Sequence, residues 1–134
     1  MQKKVLTSEK AALPIGPYSQ AIQVGNLVFV AGEKGIDRKT GKIVPGGIQA
    51  ETRQTLENIQ AILAEAGATL DDAVSSTVHM IDLKEFEEMN RVYAEYFRKM
   101  PPGRTTVQVT ALPGNARIEI TVVAAIQSAG AGPE

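Results

Sequence analysis

The sequence contains no cysteine and a single histidine, His79. Without thiols the chain can form no disulfide bond, no thiolate metal site and no cysteine nucleophile. A metal site would need several histidine or carboxylate ligands at suitable spacing, and the acidic runs at 71–72 and 85–88 have the pattern of helix-surface residues. We therefore expect no metal in this protein.

An excess of charge of one sign is also missing. Fourteen Lys and Arg residues stand against 15 Asp and Glu residues, the net charge is −1, and the basic residues are scattered. No strong field attracts nucleic acid, so a nucleic-acid partner is disfavoured. The longest apolar runs, Leu27–Ala31 and Val122–Ile126, are too short to cross a bilayer, and the N-terminus lacks the apolar stretch of a signal peptide. We expect a cytoplasmic protein with no membrane partner.

A chain of 134 residues, 43% hydrophobic and 22% charged, is long enough for one domain with a core and short for two. No linker or repeat interrupts it before Ser128–Glu134, where small residues cannot bury enough surface to become ordered. We predict a single domain over residues 1–127 and a disordered C-terminal tail over 128–134.

Periodicity and turn residues divide the chain into eight elements. Gly25-Asn26 joins two β-prone runs as a hairpin, and Asp82 with Glu85 three residues later is typical of a helix start. Gly67 supplies a helix stop. The order is β-β-β-α-β-α-β-β, with strands at Val5–Thr7, Ala21–Val24, Leu27–Gly32, Val74–Ile81, Thr105–Thr110 and Arg117–Ile126 and helices after Gly47 and Asp82.

This order predicts an α+β fold with one mixed sheet and both helices on a single face. In the last strand one side is apolar and suits the helices, whereas the other side is only partly apolar. A partly apolar face without a helix to cover it indicates a homo-oligomer. The helix-facing residues are Ile118, Ile120, Val122, Ala124 and Ile126, and the second helix should bury Phe86, Met89, Tyr93, Phe97 and Met100.

Two charged residues are candidates for chemistry. Glu119 is a carboxylate on the strand face assigned to the interface, where burial is costly unless a cation or water satisfies it. Arg104 follows Pro101-Pro102-Gly103 at the start of a strand, so its guanidinium can present a planar fork to a carboxylate. The alternative is an Arg–Glu ion pair that holds an interface together, and residue types alone favour that pair.

Two further residues are open to more than one interpretation. Tyr18 lies in Ile15–Gln20, which is either a plain turn or the wall of a pocket that carries a phenol tip. His79 lies among apolar residues of a strand, so we expect it to pack or to form an interface hydrogen bond rather than to belong to a catalytic triad.

Several segments carry a family pattern that is jointly specific. They are Gly16–Ala21 (GPYSQA), Gly25–Val30 (GNLVFV), the Thr55–Gly67 helix, Asn90–Tyr93 (NRVY) and the stretch from Arg104 to Glu119. Together they make the chain resemble the RidA/YjgF family of imine deaminases from about Thr7 to Ile126.

The resemblance implies a chorismate-mutase-like fold and a homotrimer with three sites at the subunit interfaces. It also implies hydrolysis of 2-imino acids or their enamine tautomers, such as 2-iminobutanoate and 2-iminopropanoate, which pyridoxal-phosphate dehydratases release. The products would be 2-oxo acids and ammonia, and no cofactor is implied.

The family's functional residues fall on identifiable positions. Arg104 would bind the substrate carboxylate, and Glu119 would orient the attacking water and move protons. Tyr18 would wall the pocket from the neighbouring subunit, Gly32 would give close backbone access, and Asn90 and Thr106 would shape the rim.

Three positions depart from the family pattern, because Ala31 stands where Ser is usual, Glu33 where Gln is usual, and Thr106 where Cys is common. The lost hydroxyl at Ala31 could change substrate preference, and Glu33 would add a negative charge near an anion site.

Two alternatives to the deaminase stay open. One is a regulatory trimer that binds small carboxylates without turnover. The other is an endoribonuclease or translation inhibitor, for which the chain offers no basic groove and no histidine pair.

Overall fold

This computed structural model describes residues 2–127, which contain six strands and two α-helices. Their order is the predicted β-β-β-α-β-α-β-β, which is thereby confirmed, and the prediction for residues 128–134 lies outside the described residues. The elements are β1 Lys3–Leu6, β2 Ala21–Val24, β3 Leu27–Glu33, α1 Gly47–Ala64, β4 Ala73–Met80, α2 Phe86–Tyr96, β5 Gly103–Gln108 and β6 Ile118–Ala125.

The strands form one mixed sheet in the order β1-β2-β3-β6-β4-β5. Within residues 2–127, β4 and β5 are the one parallel pair, and the other neighbours are antiparallel. A parallel pair needs a long crossover, and α2 supplies it. The last strand, β6, lies between β3 and β4, which places Glu119 near the middle of the sheet and leaves β5, with Arg104, at the edge.

Both helices pack on one face of the sheet, as the strand alternation predicts. Alternate residues of β6 are fully buried, and their neighbours on the other face are partly exposed. Each fully buried aliphatic side chain contributes about 1.5–3 kcal/mol relative to its exposed state. The core includes Ile118, Ile120, Val122 and Ala124 from β6, Leu56, Ile59, Ile62 and Leu63 from α1, and Met89 and Tyr93 from α2.

The start and end of α2 differ from the sequence expectation. Asp82 does cap a turn, because its side chain accepts a hydrogen bond from the Lys84 N–H, but that turn is a short 3-10 helix and α2 begins only at Phe86. The expectation that Phe86 and Met100 are core residues is wrong, because they are 37% and 88% exposed. Since α2 ends at Tyr96, Met100 lies outside the helical repeat.

The opposite face of the sheet, which we call the open face, carries no helix. A row of paired residues crosses it, in which Val5 pairs with Ile22, Ile22 with Phe29, and Phe29 with Val123. Phe29 is 43% exposed there. The predicted partly apolar, uncovered face is therefore present in the single chain.

Among the described residues, neither helix combines the length and apolar character that a membrane span requires.

Candidate active site

Glu119 lies on the open face, between a lysine and a histidine. His79 is its register partner on β4, and His79 Nδ1 lies 3.5 Å from Glu119 Oε1. Lys34 Nζ lies 3.5 Å from the other carboxylate oxygen, Oε2. The Glu119 side chain keeps 20% of its surface exposed, so it contacts Lys34 and His79 and still reaches solvent.

Gly32 makes room for this carboxylate. A Cβ atom added to Gly32 would lie 2.7 Å from Cδ of Glu119 and 3.0 Å from its Cγ, which is closer than atoms can pack. Only glycine therefore allows the Glu119 side chain to lie flat against the β3 backbone. Backbone access for a substrate at Gly32 stays a prediction, and in the structure the group that approaches Gly32 is the chain's own acid.

A β-bulge in β3 creates this arrangement. Val30 pairs with Val122, but the next pair joins Glu33 to Ile120, so β3 carries one residue more than β6 between them. A bulge bends the strand and redirects its side chains. Ala31 and Gly32 consequently stay partly exposed, whereas Glu33 is buried.

The environment of Glu33 alters what its charge can do. Burial raises the pKa of Glu33 from 4.5 to about 8, Lys34 opposes that rise, and the negative charge of Glu119 adds to it. At pH 7 the carboxyl group is therefore mostly protonated and neutral, like the glutamine that the family pattern favours at this position. The extra negative charge expected from the sequence is largely absent at that pH.

Glu119 opens into a pocket of about 350 Å³ on the open face. Tyr18 forms part of its wall, and its phenol is fixed locally because the Ile15 N–H donates to the Tyr18 hydroxyl oxygen over 3.2 Å. Ala31 leaves this wall without a hydroxyl group. The pocket is lined by Ile15, Tyr18, Ala31, Gly32, Lys34, Pro113, Glu119 and Thr121.

Arg104 belongs to a second group of residues. Its guanidinium carbon lies 4.6 Å from the centre of the Tyr93 ring and 5.5 Å from that of Phe86, distances typical of cation–π contacts. Phe86 therefore supports Arg104 instead of filling the core. Burial raises the pKa of Tyr93, so its phenol stays neutral beside the guanidinium. Thr106 follows two residues later on β5, and Asn90 lies on α2 one turn before Tyr93.

The two groups lie on opposite faces of the sheet. Arg104 pairs with Ser76, whose side chain is buried on the helix face, whereas Glu119 pairs with His79 on the open face. Within the described part of a single chain, the ion partners of Glu119 are Lys34 and His79, and Arg104 is not among them. The direct Arg104–Glu119 pair that residue types favour therefore does not form inside one chain.

Sequence reasoning missed the contact of Lys34 with Glu119 and assigned His79 to packing or to an interface hydrogen bond. The His79–Glu119 pair could have been found by aligning β4 with β6 in antiparallel register. Lys34 had no comparable signal, because its burial depends on the bulge before it. Among residues 2–127 no cluster of three or more histidine, aspartate or glutamate side chains could hold a metal ion.

Comparisons with known proteins place this architecture in a defined class. A family model described as Endoribonuclease L-PSP matches residues 8–126. A crystal structure of a Rid family protein from Yersinia pestis superposes with a TM-score of 0.90 at 39% identity and covers 93% of this chain and 100% of that one. The class is the α+β fold of the Rid proteins.

Two curated relatives match more than nine tenths of the chain in sequence. A RutC family protein from Pyrococcus abyssi is 52% identical over 124 residues, which cover 92% of this chain and 98% of the relative. The mouse protein named 2-iminobutanoate/2-iminopropanoate deaminase is 40% identical over 122 residues, which cover 91% and 90%. The chain belongs to the RidA/YjgF family.

Proposed function

We propose that this protein is a deaminase that hydrolyses 2-imino acids, with 2-iminobutanoate and 2-iminopropanoate as substrates, to 2-oxo acids and ammonia. The observation that carries the proposal is the Glu119 carboxylate, which is held by Lys34 and His79 and faces a pocket of about 350 Å³ that has room for a small acid. The name of the mouse relative supports the same chemistry.

The proposed active unit is a homotrimer. Among the described residues that line the pocket around Glu119, the one cation is Lys34, which already faces the acid. Arg104 lies on the other side of the sheet, on the edge strand β5, with Thr106 two residues further along β5 and Asn90 on α2. A second copy could bring its Arg104 to the open face of the first. The apolar row across that face, including the half-exposed Phe29, would then be covered by neighbouring subunits.

In the proposed reaction, Arg104 of one subunit binds the substrate carboxylate through its planar fork and orients the imine carbon toward Glu119 of the next. Glu119 accepts a proton from a water molecule, whose oxygen attacks C2, and the imine nitrogen takes up a proton from solvent to give a carbinolamine. Glu119 then passes its proton to the amino group as the C–N bond breaks. Ammonia leaves, the hydroxyl group releases its proton to solvent, and the 2-oxo acid forms with Glu119 again deprotonated.

The experiment is a coupled assay. Purified protein is added to a threonine dehydratase reaction, and the appearance of 2-oxobutanoate is followed. We expect faster appearance with the wild type, no acceleration with Arg104→Ala, and full acceleration with Arg91→Ala, a control at an exposed arginine of α2. Thermal unfolding of each variant checks that the fold is intact. An Arg104→Ala protein as active as the wild type would refute the proposal.

The non-catalytic carboxylate-binding trimer has one structural observation in its favour, which is the missing hydroxyl at Ala31 in the pocket wall. It predicts that 2-oxobutanoate raises the unfolding temperature while the protein leaves the dehydratase reaction unchanged. For the endoribonuclease alternative, RNA cleavage that persists in Arg104→Ala and Glu119→Ala would have to come from a different site.

A further inference from the structure

Lys34 is the lysine closest to the candidate chemistry, and its side chain is only 6% exposed. Lysines are rarely buried to this extent unless an acid compensates the charge. The backbone at Lys34 is also anchored, because its carbonyl accepts hydrogen bonds from Asn58 Nδ2 at 3.1 Å and from the Ile36 N–H at 2.8 Å. The ammonium group therefore reaches the pocket from a backbone position that is tied to α1 through Asn58.

Two acids compete for this ammonium group. Glu33 is the sequence neighbour, but its burial raises its pKa to about 8, so at pH 7 it is mostly neutral. Glu119 has Oε2 3.5 Å from Lys34 Nζ. The positive charge of Lys34 is consequently directed mainly at Glu119.

The neighbours of Glu119 restrain it from three sides. Lys34 approaches one carboxylate oxygen, His79 Nδ1 approaches the other at 3.5 Å, and the backbone of Gly32 lies against the side-chain carbons. A bare carboxylate would also repel an anionic substrate, and a cation beside it offsets that repulsion. Lys34 thus supplies both orientation and charge compensation without occupying the solvent-facing side of the pocket.

We propose that Lys34 is a positioning residue that holds the Glu119 carboxylate in the orientation needed to activate water. This inference rests on the proposed deaminase function, which it deepens. Lys34 acts through its contact with Glu119.

The test compares Lys34→Met, which keeps the length of the side chain but removes its charge, with Lys34→Arg, which keeps the charge. We expect Lys34→Met to lower the rate of the coupled assay between about tenfold and about a hundredfold, since misplaced catalytic groups cost factors of this size. Lys34→Arg should restore most of the loss. The exposed Lys39 provides the control, and Lys39→Met should match the wild type. Wild-type activity in Lys34→Met, or an equal loss in Lys34→Arg, would overturn the inference.

A second readout does not depend on activity. In protein labelled with carbon-13 at glutamate carboxyl groups, the resonance of Glu119 is assigned by its disappearance in Glu119→Gln. At pH 7 we expect Lys34→Met to move this resonance and Lys39→Met to leave it in place, and an unmoved resonance in Lys34→Met would overturn the positioning role. If the wild type fails to accelerate the assay while the resonance still moves, the proposed function fails and the contact between Lys34 and Glu119 stands. Should Lys34→Met not fold, Lys34→Gln replaces it in both measurements.

Discussion

Replacing Glu33 with glutamine should stabilise the protein at alkaline pH and leave its stability nearly unchanged near pH 4. Glu33 is turned into the interior by the β3 bulge, where its carboxyl group is buried beside Lys34. Burial raises its pKa from 4.5 to about 8, because the charged form loses its hydration. Glutamine has nearly the same shape and carries no charge at any pH.

The sign and size of the effect follow from proton binding. Between pH 4.5 and about 8 the unfolded chain has released the Glu33 proton and the folded protein still holds it, so the free energy of unfolding falls as the pH rises. The slope is about 1.4 kcal/mol per pH unit, and the total loss over this interval is on the order of 5 kcal/mol. Below pH 4.5 both states are protonated and the loss vanishes. Glu33→Gln has no carboxyl group at this position, so its free energy of unfolding should not show this decrease.

Urea denaturation of the wild type and Glu33→Gln at pH 4, 6 and 8, at one protein concentration, measures the difference. The variant should gain stability steadily with pH relative to the wild type. Glu88→Gln, at an exposed acid of α2, should differ from the wild type by less than about 0.5 kcal/mol at each pH. A stability difference between Glu33→Gln and the wild type that stays constant from pH 4 to pH 8 would refute the reasoning.

Three other substitutions separate the site from the scaffold. In Gly32→Ala the new Cβ would lie 2.7 Å from Cδ of Glu119 and would displace the carboxylate. Activity in the coupled assay should be lost while the unfolding temperature changes little. Retained activity would show that this contact is unimportant. In Gly35→Ala the Cβ would lie 2.7 Å from the backbone oxygen of Glu51, which cannot move aside as a side chain can. Urea denaturation should show that the free energy of unfolding falls by about 1–3 kcal/mol. An unchanged urea midpoint would contradict this. Phe29→Glu places a charge on the open face, so the variant should sediment as a monomer and should be inactive in the coupled assay. A variant that still sediments as a trimer would show that the interface lies elsewhere.

Much of the fold could be predicted because it depends on local signals. The alternation in β6 identified its buried side from Ile118 to Ala124, and the helical spacing after Gly47 identified the face of α1. These patterns are readable because each strand or helix buries one face whatever its neighbours are. The same reasoning failed at Phe86, whose ring contacts the Arg104 guanidinium, and at Met100, which lies beyond the end of α2 at Tyr96.

The candidate site could be predicted only in part. The family pattern pointed to Arg104 and Glu119, but residue types could not show that the two lie on opposite faces of the sheet. That separation depends on the register of β5 and β6 with the strand between them. On this separation rests our proposal that a second subunit completes the site.

The sequence alone determined the order of the elements and the helix-covered and open faces of the sheet, and its family pattern pointed to Glu119 and Arg104 as candidates, because periodicity and motif are properties of the linear chain. Only the tertiary structure decided which groups surround Glu119. A single additional residue in β3 turns Glu33 inward and leaves Gly32 against the acid, with Lys34 directly after it. Such a bulge is set by pairing between strands that are distant in the sequence, so no local pattern announces it.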